Sequence, residues 1–350
     1  MDRGATLHRL ARIRPNMPKV SVIVPSYNHA PFLRQRMESI VRQTFQDFEL
    51  ILLDDCSPDE SRSILSEYGQ DDRVRIEFNE RNSGNTFKQW NKGVCLARGE
   101  YVWIAESDDY ADERLLETLV PRLDANADAA LCYARSWWVD EKGTTQGFVD
   151  DYIRDLGGLR WSEDFTVAGR EECGRYLVFA NTVQSASSVV FRREAYWKAG
   201  GADETLRYCG DWKMWASMAL LGGQIAHVGK ALNYYRSHSA TVTAASPRSG
   251  LAAAETLAVV GWILQHLEPT AAVKAELNER LFPLWSAAVL TNRVPVGRRV
   301  SILRHARKID ARAFRRLVRP GLNALRLTAL RRCRSLRAGA RRNAGHETVA

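Results

Sequence analysis

Short runs of apolar residues alternate with stretches whose apolar positions fall at helical spacing. Val20-Ser-Val-Ile-Val24 reads as a buried strand of β-branched residues. Phe32, Leu33, Met37, Ile40 and Val41 then recur at helix spacing. The rhythm repeats with strands over 48–53, 74–78 and 101–105, and with helices over about 59–68 and 86–97. Strands alternating with helices in this way predict an α/β fold, a mostly parallel central sheet flanked by helices. Ligands of such sheets bind beyond the carboxyl ends of the strands. Three of the strands run into polar, mostly acidic turns at 25–28, 54–59 and 106–109. Those turns are therefore expected to crowd one rim.

Further strands are expected at 131–133, 186–191 and 224–228, with a helix from Trp212 to Leu221 stopped by Gly222-Gly223. From Leu251 the pattern is helical to about 290. Basic helices follow over about 298–318 and 322–342, broken by Pro320-Gly321. The expected organisation is a leader over 1–18, one domain over 19–250 (in halves 19–110 and 111–250), and a C-terminal helical region with a basic tail over 251–345.

Apolar residues make up 45% of the 350, enough for a full core. The net charge of +9 hides an uneven distribution. From Arg293 onward there are 17 Lys and Arg against two acids, while the preceding 292 residues hold 33 bases and 39 acids. A basic tail on a mildly acidic body points to a partner for the tail. In 298–318, Val300, Leu303, Ala306, Ala313, Leu317 and Val318 form an irregular apolar stripe among arginines. That pattern suits an anionic membrane surface, or else a solvated appendage. Nucleic acid is not expected as a partner, since the body carries no recognition motif. The six cysteines form no CxxC pair and no zinc-like cluster. The N-terminus has no apolar run like that of a secretory signal, and no apolar stretch reaches the ~20 residues that a bilayer requires. The expected location is cytoplasmic, with peripheral contact at the inner face of the plasma membrane.

Within the rim, Asp108-Asp109 directly follow a strand, with Glu106 just before them. Carboxylates there would bridge a divalent cation to substrate phosphates, or only cap the next helix. Asp54-Asp55 would meet a nucleotide base or ribose, or cap a turn. Tyr27 would stack on a base or pack the rim. Gly84 permits close backbone approach, and Lys88 would meet phosphate or water. Asp211 opens a helix, as a general base for a hydroxyl or as its cap. His238 and Arg236 lie in a polar loop after a strand and would meet metal or diphosphate. Aromatic faces stack on sugars. Trp137, Trp138 and Trp161 lie in loop-like polar contexts, and with Trp212 they are the acceptor candidates among ten tryptophans.

The order and spacing of these segments over about 19–245 resemble the inverting glycosyltransferases of family two, which have the GT-A fold. The segments are Val20-Ser-Val-Ile-Val-Pro-Ser-Tyr-Asn28, Leu53-Asp-Asp-Cys-Ser-Pro-Asp59, Asn82-Ser-Gly84, Gly99-Glu-Tyr-Val-Trp-Ile-Ala-Glu-Ser-Asp-Asp109, Gly210-Asp-Trp-Lys-Met-Trp215 and Tyr235-Arg-Ser-His238. The resemblance implies a Rossmann-like GT-A sheet, its first half binding nucleotide and its second half acceptor. Pro25, Tyr27, Asn28, Asp54, Asp55, Gly84, Lys88 and Asp108 would hold the donor nucleotide. Asp109 and His238 would hold Mn²⁺ or Mg²⁺. Asp211 would deprotonate the acceptor hydroxyl, with inversion at the sugar. The partners implied are a nucleotide-sugar donor and a glycan or lipid-linked acceptor of cell-surface polysaccharide, lipopolysaccharide or glycolipid. Two positions depart from the family pattern: Glu106 stands where Asp is common, and Gly210 where an acid often precedes the base. An inactive nucleotide-sugar-binding scaffold on the same fold is the alternative reading.

Overall fold

The computed structural model describes residues 17–239, 241, 249–313 and 315. Continuous apolar runs become strands buried on both faces, as parallel sheets require. Every residue of β1 (Val20–Ser26) and of β2 (Phe48–Asp54) is buried. β3 (Val74–Phe78), β4 (Tyr101–Ile104), β5 (Tyr110–Ala111), β6 (Ala129–Val139), β7 (Thr145–Phe148), β8 (Phe165–Ala168), β9 (Val189–Arg192) and β10 (Gln224–Arg236) complete one ten-stranded sheet. Its main order is β3-β2-β1-β4-β9-β6-β10-β5, with β7 beside β6 and β8 beside β10. β1 to β4 are parallel neighbours. β9 runs against both β4 and β6, and β10 runs parallel to β6. Hence β6 and β10 point the same way as the first four strands. The ends of β1, β2, β4 and β10 and the start of β9 all reach one edge, in agreement with the expected rim.

The helices α1 (Ala30–Val41), α2 (Ser61–Ser66), α3 (Thr86–Leu96), α4 (Leu115–Asp124), α5 (Arg193–Lys198) and α6 (Gly210–Leu220) flank this sheet. In α1, Leu33, Met37 and Ile40 face the core cluster that contains Val22, Val24 and Trp103. In sequence these are followed by α7 (Leu251–His266), α8 (Ala271–Leu290) and α9 (Val296–Ile309).

The second half of the sheet is longer than its apolar runs suggest. β6 continues to Val139 and β10 to Arg236, because they pair with each other even where their residues turn polar. The expected helix over 298–318 ends at Ile309, where Asp310 leaves helical geometry. The helix expected over 322–342 lies outside the described residues. Two compact units emerge: one spans the chain to Ser246 plus Trp262–Pro269, the other Pro247–Gly261 and Thr270 onward. In the second unit, Leu277, Leu281 and Trp285 of α8 and Ile302 and Ala306 of α9 are buried. No described helix is long and apolar enough to cross a membrane.

Candidate active site

At the end of β1 the chain turns sharply, with Asn28 in left-handed geometry at φ 58°. Cys56, after β2, does the same at φ 62°. Asn28 N donates to Ser57 Oγ at 3.0 Å, which locks the two turns together. The adjacent Asp54 and Asp55 then divide the work. Asp54 Oδ1 accepts from Ser57 N at 3.0 Å and from Arg62 Nε at 2.6 Å. Its Oδ2 is buried and has no hydrogen-bond partner among the described residues, so it remains an acceptor for an incoming donor.

Asp55 clasps the loop before α3. It accepts from Asn79 Nδ2 at 2.6 Å, Ser83 N at 2.8 Å, Ser83 Oγ at 2.7 Å and Gln89 Nε2 at 3.0 Å. Gly84 in that loop has φ 69°, a conformation that few other residues accept. Lys88 is exposed, with Nζ 3.5 Å from Ser83 O. Pro25 is buried in β1, while Tyr27 presents its ring to solvent above the rim.

One strand further along, the turn after β4 splits its three acids. Asp108 Oδ2 meets His238 Nε2 at 3.1 Å. His29, on the turn into α1, has Nδ1 2.8 Å from Ser107 Oγ, and its ring lies 5.5 Å from that of His238. His29, Asp108 and His238 each offer one ligand atom, and those atoms all lie within 4.8 Å of one another. Asp109 turns to the other side. Its Oδ1 accepts from Arg236 N at 2.9 Å, and its Oδ2 lies 3.4 Å from Ser185 Oγ. Ser107 and Asp108 lie in a turn closed by Asp109 N on Glu106 O at 3.2 Å, and this turn sends the two carboxylates to different partners. Glu106 Oε1 accepts from Trp90 Nε1 at 2.7 Å.

These acids surround Arg36, a fully buried guanidinium on the inner face of α1. Its Nε donates to Glu106 O at 2.8 Å, and its two terminal nitrogens have no hydrogen-bond partner among the described residues. Burial lowers the Arg36 pKa to about 10, against the pull of Asp109, Asp108 and Glu106. Burial, reinforced by the Asp108 charge, pushes the Glu106 carboxyl up to about 8. The same two causes raise Asp109. Burial also works against Asp108, but the His238 hydrogen bond and the nearby His29 hold it below the usual carboxylate range. The one acid facing the two imidazoles is therefore the one kept ionised. His29 is lowered by its burial, although Asp108 pulls the other way.

Sequence reasoning missed His29 and Arg36. The signal for Arg36 was its position on the same helical stripe as Leu33, Met37 and Ile40.

Asp211 occupies the first turn of α6 and accepts from Asn181 Nδ2 at 2.9 Å. Asn181 begins the segment that leads to Ser185 and hence to Asp109. The glycine before Asp211 has a steric cause. A Cβ at Gly210 would sit 2.3 Å from the Phe87 ring. Trp137 and Trp138 belong to the end of β6 rather than to a loop. Trp137 stacks on Phe148 at 4.1 Å, and Trp138 is exposed. The acceptor expectation for Trp161 and Trp212 needs correcting, since both indoles are buried. Each N–H is spent inside, on Tyr133 Oη at 3.2 Å and Leu177 O at 2.8 Å respectively. Large aromatics with an internal hydrogen-bond partner are core residues, whatever the polarity of their sequence neighbours.

The sequence pattern of glycosyl transferase family 2 matches residues 21–200. The chain is 39% identical to the glycosyltransferase GlyG of Streptococcus pneumoniae over 114 residues, 32% of this chain and 38% of GlyG. It is 27% identical to the poly(ribitol-phosphate) beta-N-acetylglucosaminyltransferase TarS of Staphylococcus aureus over 192 residues, 52% of this chain and 33% of TarS. The chain thus spans well under half the length of these relatives. The crystal structure of TarS 1–349 superposes with a TM-score of 0.62 at 20% identity, covering 84% of this chain and 82% of that one. The mannosyltransferase PcManGT of Pyrobaculum calidifontis, in complex with GDP-Man and Mn²⁺, superposes at 0.54 with 16% identity, covering 92% and 86%. By its sequence pattern and its sheet, the chain belongs to glycosyl transferase family 2, on the GT-A fold.

Proposed function

We propose that the chain transfers a sugar from a nucleotide-diphosphate sugar to a hydroxyl of a glycan or lipid-linked acceptor, with inversion, in the building of cell-surface polysaccharide or glycolipid. One observation carries the reading. The His29, Asp108 and His238 cluster lies on the same sheet edge as Asp54 and Asp55, so a nucleoside and its diphosphate fit along one rim. Similar proteins support the donor class: TarS has been crystallised with UDP-GlcNAc, and PcManGT with GDP-Man.

A carboxylate and two imidazoles suit a divalent transition metal, so of the two expected cations Mn²⁺ fits Asp108, His238 and His29 better than Mg²⁺, which favours an all-oxygen shell. A cation there would offset the charge gathering on the departing diphosphate. The chain's own groups do the rest. Asp54 Oδ2 accepts from the nucleoside, and Tyr27 offers its exposed ring to the base. Asp109, held by the Arg236 backbone, fixes the strand end that presents Asp108. Asp211 takes the proton of the attacking hydroxyl, and direct attack from the face opposite the diphosphate inverts the anomeric carbon. Gly210 is kept small by Phe87, so its departure from the family pattern follows from packing and gives no weight to an inactive scaffold.

The test is a thermal-shift series with UDP, GDP and their sugars, with and without Mn²⁺, followed by donor-hydrolysis assays. A ligand that binds only the folded chain raises Tm. We expect a rise that depends on Mn²⁺ and is lost in Asp108→Ala and His238→Ala. Asp211→Asn should keep the rise and lose turnover. A rise that survives both replacements, or turnover that survives Asp211→Asn, refutes these assignments.

A further inference from the structure

Among the described residues, the second unit exposes a group of aliphatic side chains at one end of a helix pair. Leu290 at the end of α8 is 70% exposed, Val296 at the start of α9 is 70% exposed, and Val300 one turn later is 50% exposed. Leu284 adds a fourth exposed aliphatic near the end of α8. A five-residue turn, 291–295, joins the two helices, so Leu290 and Val296 sit at the same end of the pair. Of the stripe that the sequence suggested for lipid, this surface shares Val300. Ala306 and Ala313 of that stripe are buried, together with Ile302, and face the unit's own interior.

The charge along this stretch of the chain has a single sign. Residues 281–309 contain six Lys and Arg and no Asp or Glu. Arg293 in the turn and Arg304, Arg307 and Lys308 further along α9 are exposed. Exposed aliphatic side chains on a stretch of chain whose only charges are cations match the boundary between acyl chains and anionic headgroups, where each signal alone is weak and the two together hold.

We propose that the α8–α9 turn is an insertion element that seats this unit on an anionic lipid surface. Leu290 and Val296 enter the acyl boundary, Val300 lies along it, and the arginines pair with headgroup phosphates. This inference does not depend on the catalytic assignment, because it concerns a surface of the second unit alone.

The test is co-sedimentation of the full chain with phosphatidylcholine vesicles, with and without phosphatidylglycerol. Binding should require the anionic lipid and weaken as salt is raised. Leu290→Ser with Val296→Ser leaves every charge of the chain in place and alters only exposed positions. It should weaken binding about tenfold or more, given the apolar area withdrawn from the lipid. Circular dichroism of the variant should match the parent. Undiminished vesicle binding by the double variant overturns the proposal, since charge elsewhere would then account for it. Equal binding to pure phosphatidylcholine overturns it too. So does an absence of vesicle binding with self-association that the double variant abolishes, which would make this end a protein interface.

Discussion

Replacing Glu106 by Gln tests whether the acid cluster is electrostatically strained as the structure implies. Glu106 is partly buried among Asp108, Asp109 and Arg36, and its pKa rises from 4.5 to about 8. The fold thus favours its protonated form. The corresponding stability is fully present below pH 4.5 and is lost as pH rises through about 8. At 1.36 kcal/mol per pKa unit, the loss between pH 5 and pH 8 would approach ~3.5 kcal/mol for a fully buried group. Some solvent reaches Glu106, so we expect ~2 kcal/mol. That corresponds to roughly 4–8 °C in Tm for a unit of this size. Gln keeps an oxygen to accept from Trp90 Nε1 and never ionises. Thermal unfolding of parent and variant, followed from pH 5 to pH 8 with a chelator present, should show nearly equal Tm at pH 5. At pH 8 the variant should be the more stable by those few degrees. Asp109, raised for similar reasons, remains in the variant, so the slope should flatten rather than vanish. A variant with the parent's slope, or one weakened equally at both ends of the range, refutes the reasoning.

Gly210→Ala should destabilise by about 1–3 kcal/mol in chemical denaturation, because the new methyl meets the Phe87 ring at 2.3 Å. Combining it with Phe87→Leu should recover part of that loss in a double-mutant cycle, and strictly additive losses would show that the ring is not the obstacle. Asp55→Ala should cost ~3 kcal/mol, since it strips the acceptor from four donors at once, and should weaken donor binding by freeing the Asn79–Gln89 loop. A loss below ~1 kcal/mol in urea denaturation would mean that water replaces the carboxylate at little cost.

What the sequence made legible depended on how far apart the interacting groups lie. Strand endings are local, so the turns at 25–28, 54–59 and 106–109 could be read from apolar runs that give way to polar residues, acidic ones in the last two. One general rule about strand ends then placed those turns on a shared edge, and the order β2-β1-β4 does bring them together. Which acid does what was not legible. Asp108 and Asp109 are neighbours in sequence and alike in chemistry, and they part because the turn closed by Asp109 N on Glu106 O aims them at different partners. His238 pairs with Asp108 while the Arg236 backbone takes Asp109. Asp54 and Asp55 also part, one to Ser57 of its own turn and Arg62 of α2, the other across to α3. The indoles of Trp161 and Trp212 were misread because the polarity of flanking residues says little about a side chain whose partners, Tyr133 and Leu177, come from distant segments.

Arg36 shows where a stricter reading would have succeeded. A charged residue in line with Leu33, Met37 and Ile40 must either leave the helix's buried face or find compensation there. Neutral partners cannot balance a buried guanidinium, so the position itself demands nearby acids. The acid-rich turn after β4 is the one element within reach that supplies three. The buried cation and the acid cluster therefore explain each other. Arg36 lets Glu106, Asp108 and Asp109 gather in so little space, and their attraction offsets part of the cost of burying a guanidinium in α1's packing face. The cluster keeps one member, Asp108, ionised and turned toward His29 and His238, while burial and the Asp108 charge push the other two acids up, which eases the repulsion that three full charges would create.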